Sequence, residues 1–246
     1  MKDLYTEFAE IYKNKPLKDN TGGMMSQQMF GLFTLLKEMN PALIIESGVW
    51  YGQGTWFMRQ VCPDAKIISF DINFGNLKYK HPDVEYHERD ITTFDWQKFF
   101  QENTEYNSEN SLLFLDDHVD FSSRLSYLYE STPFKHIVYE DNYPPNQGDC
   151  ISPKKIRESE TCIIDKAGYR TEFQIPSFVR EMFEEKVKNY KELPPVCIHP
   201  QTRWNDDWDR EIYKTPEPVF TNYDEVEDWV KEEKDYTWIC HMELNK

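Results

Sequence analysis

Short apolar runs alternate with amphipathic segments through the first half of the chain. The amphipathic segments, residues 26–39, 51–61 and 121–132, have the spacing of apolar positions that predicts helices. The apolar runs are typical of buried strands and cover residues 42–47, 66–73, 84–90, 111–117 and 136–142. Strands that alternate with helices in this way predict an α/β, Rossmann-like sheet, mostly parallel, with helices on both faces.

The pattern changes after about residue 143. Residues 144–158 predict a long loop that leads into a short helix. Residues 177–192 predict a single amphipathic helix, because apolar side chains recur there at helical spacing. That apolar face comprises Phe178, Val179, Met182, Phe183, Val187 and Tyr190.

The last part of the chain predicts three further segments. Residues 203–209 predict a loop, and residues 224–234 predict a helix anchored by Val226, Trp229 and Val230. Residues 236–244 alternate well enough to predict a late strand. We therefore expect a single domain over residues 1–246, whose core is formed by residues 26–143. Insertions in the second half, residues 144–210, are expected to form a lid or substrate wall. Residues 211–246 are expected to complete the sheet.

The charge and the cysteines narrow the classes of partner. A formal net charge of -16 disfavours nucleic acid or an anionic membrane as the main partner, because both attract basic surfaces. The chain has no apolar stretch of membrane-spanning length, and its N-terminal segment lacks the apolar core of a signal peptide. The five scattered cysteines, without a C-x-x-C pair, fit reduced thiols in a cytoplasmic compartment and disfavour a zinc site.

Residues 44–55, IIESGVWYGQGT, form a glycine-rich turn between a predicted strand and a helix. Glycine lets the backbone turn sharply and approach a ligand closely. The spacing differs from the G-x-G-x-x-G of dinucleotide folds, which disfavours a dinucleotide ligand. Glu46 lies two residues before Gly48, where an anionic side chain suits a ligand with an ammonium group.

Two further acids end the next two strands. Asp71 ends the second strand, where a carboxylate can accept hydrogen bonds from two ribose hydroxyls. Asp90 ends the third strand and is placed to accept a hydrogen bond from an adenine amino group. Together with the glycine-rich turn, these positions predict a nucleoside pocket.

Glu46-x-Gly48, Asp71 and Asp90 resemble the successive motifs of class I S-adenosylmethionine-dependent methyltransferases. The resemblance covers roughly residues 26–143. It implies the class I methyltransferase sheet, S-adenosylmethionine as cofactor, and binding of the methionine, ribose and adenine parts along these motifs. The cofactor-binding residues that it implies are Glu46, Gly48, Tyr51, Gly52, Gly54, Thr55, Asp71 and Asp90.

Acidic residues also end the fourth and fifth strands, as Asp116 and as the cluster Glu140, Asp141 and Asn142. Carboxylate and amide oxygens are hard donors that suit Mg²⁺, Mn²⁺ or Ca²⁺. A bound cation would relieve the repulsion between adjacent carboxylates. These strand ends therefore predict a divalent metal site.

The pairing of acids is similar to that of cation-dependent O-methyltransferases. Catechol O-methyltransferases have Asp-Asn after the fifth strand, whereas the macrocin O-methyltransferases and the cephalosporin hydroxylase-like family have two consecutive acids there. Both templates imply Asp116 and Asp141 as metal ligands and differ on whether Glu140 or Asn142 is the third. The downstream segment GDCISPKK resembles the second group, which favours Glu140.

The lysine base that the catechol enzymes have after the fourth strand is missing, and His118 is the candidate nearest to that position. His118 could accept a hydroxyl proton near neutral pH, ligate the metal, or hydrogen-bond the acids. We take Asp116 and His118 as the candidate catalytic residues. The candidates for substrate contact on loops are Trp50, Tyr51, His199, Arg203, Trp204 and Trp208.

The predicted function is S-adenosylmethionine-dependent and Mg²⁺- or Mn²⁺-dependent O-methylation of a sugar or another polyhydroxylated small molecule. The partner is then a small-molecule or glycan substrate, and a homo-oligomer stays open. Two alternatives remain: a non-catalytic cofactor-binding or regulatory protein, and a dinucleotide-dependent oxidoreductase, which the missing G-x-G-x-x-G disfavours.

Overall fold

The computed structural model describes residues 1–166, 168–202, 205, 207–227 and 238–246. Its strands, in chain order, are β1 Leu43–Ser47, β2 Lys66–Asp71, β3 Glu85–Glu88, β4 Ser111–Leu115, β5 His136–Tyr139, β6 Thr161–Lys166, β7 Tyr169–Gln174, β8 Val187–Glu192 and β9 Cys240–Leu244. Its α-helices are α1 Lys2–Tyr12, α2 Ser26–Met39, α3 Gln53–Val61, α4 Trp96–Glu102, α5 Phe121–Ser131, α6 Pro153–Glu158 and α7 Ser177–Lys186. Three short 3₁₀ helices cover Phe74–Asn76, Ile91–Thr93 and Tyr223–Glu225.

The main sheet has seven strands in the order β3-β2-β1-β4-β5-β9-β8. The five strands from β1 to β5 pair in parallel, and β9 is antiparallel to both β5 and β8. The prediction of a mostly parallel α/β sheet is therefore confirmed. Parallel strands bring their carboxyl ends to one edge, so the acidic strand ends of the sequence lie along the same side of the molecule.

Helices cover both faces of this sheet. Phe8, Phe30 and Phe57, from α1, α2 and α3, pack with one set of strand side chains, and Trp96, Leu125 and Phe183, from α4, α5 and α7, pack with the opposite set. Strands buried on both sides favour apolar residues at most positions. This explains the near-continuous apolar runs of β1 and β4, whose residues are all buried.

The helix predicted over residues 177–192 is wrong in its second half. Helix α7 ends at Lys186, and β8 begins at Val187 and pairs with β9. The backbone pairing offered by β9 overrides the helical spacing of the apolar positions, since tertiary context outweighs local preference. Phe178 is 64% exposed rather than part of a buried face, whereas Val179 and Phe183 are buried.

Several elements have no counterpart in the sequence predictions, namely α1, α4, the hairpin of β6 and β7, and β8. The late strand is confirmed as β9. Trp229 and Val230, predicted as helix anchors, lie outside the described residues. All five cysteines are described and buried, and none is in a disulfide. Among the described residues, no helix has the length and apolar character needed to cross a bilayer.

Candidate active site

A cavity of about 270 Å³ opens at the edge of the sheet where the parallel strands end. Five of the predicted site residues line it, from four different strand ends: Gly48, Asp71, Asp90, Asp116 and His118. The nucleoside motifs and the first acid of the predicted metal site thus share one cavity. Sequence patterns alone could place them only on the same edge.

The glycine-rich turn is shaped by two close backbone approaches. Gly48 has φ 92°, and a Cβ there would lie 1.9 Å from the carbonyl oxygen of Asp116. Gly52 has φ 91°, and a Cβ would lie 2.2 Å from the carbonyl oxygen of Tyr79. Both positions therefore require glycine, because a side chain would collide with backbone as well as strain the left-handed conformation.

Asp71 holds this turn in place. Its Oδ2 accepts hydrogen bonds from the backbone N–H of Val49 (2.9 Å) and of Trp50 (3.3 Å), and its Oδ1 accepts one from Asn73 N–H (3.0 Å). Beside it, Ile72 is 76% exposed and Trp50 is 39% exposed, and both line the cavity. A carboxylate flanked by two exposed apolar side chains suits a ligand that is polar on one side and flat and apolar on another.

Glu46 lies beneath α3 rather than on the cavity wall. Its Oε2 accepts hydrogen bonds from the hydroxyls of Thr55 (2.5 Å) and Ser69 (2.6 Å). Burial, reinforced by the charge of Asp71, outweighs these donors and raises the pKa of Glu46 to about 7. Thr55, which the sequence predicted to bind the cofactor, therefore donates its hydroxyl hydrogen bond to Glu46 in this structure.

The other predicted cofactor residues, Tyr51, Gly52 and Gly54, are also outside the set that lines the cavity. The ring of Tyr51 stacks on Trp50 at 4.6 Å, and the Lys78 ammonium lies 3.2 Å from its centroid. These ring contacts restrict the movement of the glycine-rich turn. That Tyr51, Gly52 and Gly54 bind the cofactor stays a prediction.

Arg124, a residue that the sequence analysis did not single out, joins two of the acids. It is buried on α5 and donates both to Asp90, at 3.0 and 3.1 Å, and to Asp117 Oδ2, at 2.7 Å. Although partial burial opposes the effect, the hydrogen bonds from Arg124 and Thr92 hold the pKa of Asp90 at about 2. The predicted adenine contact is therefore a permanently charged carboxylate that already has a cationic partner. The spacing of apolar residues in α5 does not indicate that Arg124 would contact Asp90 or Asp117.

Two of the three predicted metal residues, Asp116 and Asp141, lie together beside His118. Potential ligand atoms of Asp116, His118 and Asp141 lie within 4.8 Å of one another, and so do those of Asp141, Asp149 and Cys150. Burial and the charge of Asp141 raise the pKa of Asp116 well above its usual range. Asp141 is 4% exposed, and its Oδ2 has no hydrogen-bond partner among the described residues.

Glu140 and Asn142, the two candidates for a third ligand, differ in their surroundings. Burial and the charges of Asp141 and Asp116 raise the pKa of Glu140 well above its usual range. Asn142 is fully buried and uses both ends of its amide elsewhere. Its Nδ2 donates to the hydroxyl of Tyr190 at 2.8 Å, and its Oδ1 accepts from the backbone N–H of Lys154 at 2.9 Å.

His118 bridges two acids at the mouth of the cavity. It adopts a left-handed backbone conformation with φ 52°. Its Nδ1 donates to Asp149 Oδ2 at 3.1 Å and lies 3.3 Å from Asp141 Oδ2. The hydrogen bond to Asp149, together with the charge of Asp141, raises the pKa of His118 to about 9. His118 is therefore protonated at neutral pH, and the same hydrogen bond lowers the pKa of Asp149 although burial opposes it.

Asp149 is held in place by a buried lysine that the sequence analysis also missed. Lys155 has no exposed surface, and its Nζ donates to the carbonyl oxygens of Gly148 (3.1 Å), Cys150 (2.7 Å) and Ile163 (2.8 Å). The first two carbonyls flank Asp149 in the chain. In the sequence, both Asp149 and Lys155 lie in the segment GDCISPKK, whose resemblance to the second group of enzymes was its only signal.

The candidate substrate contacts divide into two groups. Arg203 and Trp204 lie outside the described residues. Trp208 packs face to face with Trp238 at 5.5 Å, in a small cluster that also includes Tyr213 and Tyr143. This cluster is next to the acidic end of β5, because the backbone N–H of Asn142 donates to the carbonyl oxygen of Trp238.

The order β3-β2-β1-β4-β5, with an antiparallel strand beside β5, makes the sheet α/β and Rossmann-like. The sequence matches no protein-family model and no curated protein. Several solved methyltransferase structures are similar to it at low identity.

A structure of CmcI with Mg and SAM is 15% identical, and the match covers 52% of this chain and 58% of CmcI, with a TM-score of 0.38. This chain thus matches little more than half of that protein. An O-methyltransferase from Bacillus cereus in complex with SAH is 14% identical over 78% of this chain and 84% of its own, with a TM-score of 0.40. TomG from Streptomyces achromogenes, an O-methyltransferase of tomaymycin synthesis, is 11% identical over 78% and 83%, also at 0.40.

Proposed function

We propose that this protein is an S-adenosylmethionine-dependent O-methyltransferase that also requires a divalent cation. The observation that carries the proposal is the shared cavity, in which Asp71 and Asp90 meet Asp116 and His118. A methyl donor bound by the first pair would lie next to a hydroxyl bound near the second. Proximity of this kind is the main contribution that a methyltransferase makes to its reaction.

The cofactor side suits a nucleoside. Asp71 is anchored by three backbone N–H groups, and the second lone pairs of its oxygens can still accept from ribose hydroxyls. Ile72 and Trp50 offer exposed apolar surface beside it for a flat base. We assign Glu46, Gly48, Tyr51, Gly52, Gly54, Thr55, Asp71 and Asp90 to this side, some by contact and some by shaping the turn.

The acids on the other side suit a hard divalent cation. Three buried or half-buried carboxylates repel one another, and the cationic group beside Asp141 Oδ2 is His118, whose Nδ1 lies 3.3 Å away and is shared with Asp149. A group with these properties costs folding free energy unless a positive charge is supplied. We assign Asp116, Asp141 and Glu140 as ligands and prefer Glu140 over Asn142, because both ends of the Asn142 amide are engaged elsewhere.

When bound, S-adenosylmethionine supplies an electrophilic methyl group, and a divalent cation supplies positive charge beside the acceptor hydroxyl. Asp71 and Asp90 orient the donor, and Asp116 and Asp141 fix the acceptor end of the cavity. His118 would be the proton acceptor in this proposal only after a bound cation has offset the charge of Asp141, because loss of that charge lowers the raised His118 pKa and lets Nε2 release its proton. Nδ1 remains bonded to Asp149, and the deprotonated Nε2 is then the atom that accepts the hydroxyl proton.

The acceptor that we propose is a sugar or another polyhydroxylated small molecule. The support is the resemblance of the acidic strand ends to sugar-modifying enzymes, together with a net charge of -16, which repels anionic acceptors. Sugars present adjacent hydroxyls that hard cations bind well. The stacked rings of Trp208 and Trp238 are connected to the acidic strand end through the hydrogen bond from Asn142 N–H to the carbonyl oxygen of Trp238.

Isothermal titration calorimetry with S-adenosylhomocysteine tests the cofactor assignment. We expect binding by the wild type and at least a tenfold loss in Asp71→Ala, whereas Asp141→Asn should bind normally. Wild-type protein that does not bind, or equal binding by Asp71→Ala, would contradict the proposal. A thermal-shift comparison with NAD(P)H separates the oxidoreductase alternative, since only a dinucleotide enzyme should be stabilised by that ligand.

A second experiment separates an enzyme from a non-catalytic cofactor-binding protein. Methyl transfer from labelled S-adenosylmethionine to a panel of sugars is measured with Mn²⁺ and again with EDTA. We expect transfer with Mn²⁺ and at least a hundredfold loss with EDTA. Full turnover in EDTA would remove the metal from the proposal.

A further inference from the structure

The hairpin of β6 and β7 forms a separate two-stranded sheet beside the candidate site. The outer edge of β6 is covered, because Ile163 N–H donates to the carbonyl oxygen of Pro145 (2.6 Å) and Asp165 N–H donates to that of Gly148 (3.0 Å). The opposite edge belongs to β7. Within the described part of the chain, β6 is the strand with which β7 pairs, so the outer edge of β7 faces solvent.

This edge lacks two of the usual protections against pairing, proline and lysine. All six residues of β7, YRTEFQ, are exposed, and the charged residues among them are Arg170 and Glu172. Tyr169 is 78% exposed and Phe173 is 40% exposed. An open edge is a template for another strand, and charged side chains discourage pairing only where the partner does not present the opposite charge.

The sequence of β7 is complementary to itself. Residues 169–173 read aromatic, basic, threonine, acidic, aromatic: Tyr169, Arg170, Thr171, Glu172 and Phe173. In an antiparallel pair centred on Thr171, Arg170 of each copy lies opposite Glu172 of the other. Tyr169 likewise lies opposite Phe173. Opposite charges and aromatic pairs are the cross-strand contacts that stabilise antiparallel sheets.

We propose that β7 pairs with β7 of a second copy of this chain, antiparallel and centred on Thr171, to form a two-fold symmetric dimer. Two β-hairpins then join into one four-stranded sheet. A two-fold axis brings the same patch of both chains together, and each favourable pair therefore occurs twice. The proposal does not depend on the reaction assigned to the cavity.

The register is specified by the same residues. Moving the centre to the midpoint of Thr171 and Glu172 would place Arg170 opposite Phe173 and remove both ion pairs. In the single chain the Arg170 guanidinium reaches across β6, where it donates to the carbonyl oxygen of Asn146 at 2.9 Å and lies 4.0 Å from Asp165 Oδ2. Its side chain is 61% exposed, so pairing with Glu172 of a second copy requires a change of rotamer and no change of backbone. A strand from a different protein would have to match this pattern by chance, whereas a second copy matches it by symmetry.

Charge reversal provides the test, with the association of each protein measured by sedimentation velocity over a range of concentrations. The wild type should form a dimer. Arg170→Glu alone places acidic residues opposite each other twice, and Glu172→Arg alone does the same with basic residues. We expect each single variant to dissociate at least about tenfold more easily.

An equimolar mixture of the two single variants should form a heterodimer. One chain is then acidic at both positions and its partner basic at both, so both pairs are restored. The double variant Arg170→Glu/Glu172→Arg should dimerise with itself for the same reason. Lys98→Glu, an exposed residue on α4, serves as a matched change of charge and should leave the dimer intact.

A monomeric wild type would overturn the proposal, and so would single variants that dimerise like the wild type. Failure of both the mixture and the double variant to associate would equally overturn it, provided that their thermal unfolding matches the wild type. Association of the mixture alone is also a sufficient control for folding, because a misfolded chain could not restore a specific pair.

Discussion

Two groups of carboxylates meet at one cavity, which Asp71, Asp90 and Asp116 line, but their surroundings are opposite. On the cofactor side, Asp71 accepts three backbone N–H bonds, and Asp90 is paired with Arg124, which holds its pKa at about 2 against partial burial. On the other side, burial and mutual repulsion raise the pKa of Asp116 and Glu140 well above their usual range. The first group is complete within the protein, and the second is not.

The difference indicates what each side can bind. Charged carboxylates with fixed partners are rigid acceptors for neutral hydroxyl and amino groups, and they need no counter-ion. Carboxylates that repel one another store an unfavourable energy that a proton or a divalent cation removes. The same residue type therefore serves two ligand classes, and the neighbours decide which.

Removing Arg124 should have the largest effect on this contrast. Arg124→Met leaves Asp90 and Asp117 without their shared cation, and we expect a loss of about 3 kcal/mol in the free energy of unfolding. Urea denaturation measures it. Lys37→Met is the control, since the exposed pair of Lys37 with Glu7 should contribute less than about 1 kcal/mol. Equal losses in both variants would show that the burial of Arg124 has no energetic consequence.

The second prediction concerns the incomplete group. Asp141→Asn should weaken Mn²⁺ binding at least about a hundredfold, roughly 2.7 kcal/mol, because a central ligand is lost. Calorimetric titration with Mn²⁺ measures it. In EDTA the variant should be as stable as the wild type or more stable, since one repelling buried charge is gone. Asp71→Asn is the matched control and should bind Mn²⁺ as the wild type does. An equal loss of Mn²⁺ affinity in Asp71→Asn would show that the two groups of carboxylates do not differ in cation binding.

The third prediction uses Glu46, whose pKa of about 7 in the folded protein exceeds its ordinary value of 4.5, mainly because of burial. The folded state holds this proton more tightly than the unfolded state does. The contribution of Glu46 to stability is therefore fully present below pH 4.5 and is lost as the pH rises through 7.

The variant Glu46→Gln removes this dependence. Relative to the wild type, it should gain roughly 2 kcal/mol between pH 5 and pH 8. Urea denaturation of both proteins across that range measures the gain. A difference that stays constant with pH would mean that Glu46 is ionised in the folded protein.

Much of the core could be predicted because its signals are local. The strands β1 to β5 appear as apolar runs, and the acids that follow them stand in the sequence at the positions where those runs end. Parallel strands must carry these acids to one edge, so a common site followed without any knowledge of distances. The helix predicted over residues 177–192 failed for the opposite reason. Its second half becomes β8 through pairing with β9, which lies about fifty residues further along the chain.

The sequence by itself determined which acidic residue follows each parallel strand, and it determined the turn that requires Gly48 and Gly52. Only the tertiary structure decided which acids are paired and which repel. Arg124 reaches Asp90 across 34 residues, and Lys155 fixes the loop of Asp149, which in turn holds His118 across 31 residues. Such contacts depend on distances between segments, and periodicity along the chain reports only which face of a strand or helix a residue occupies.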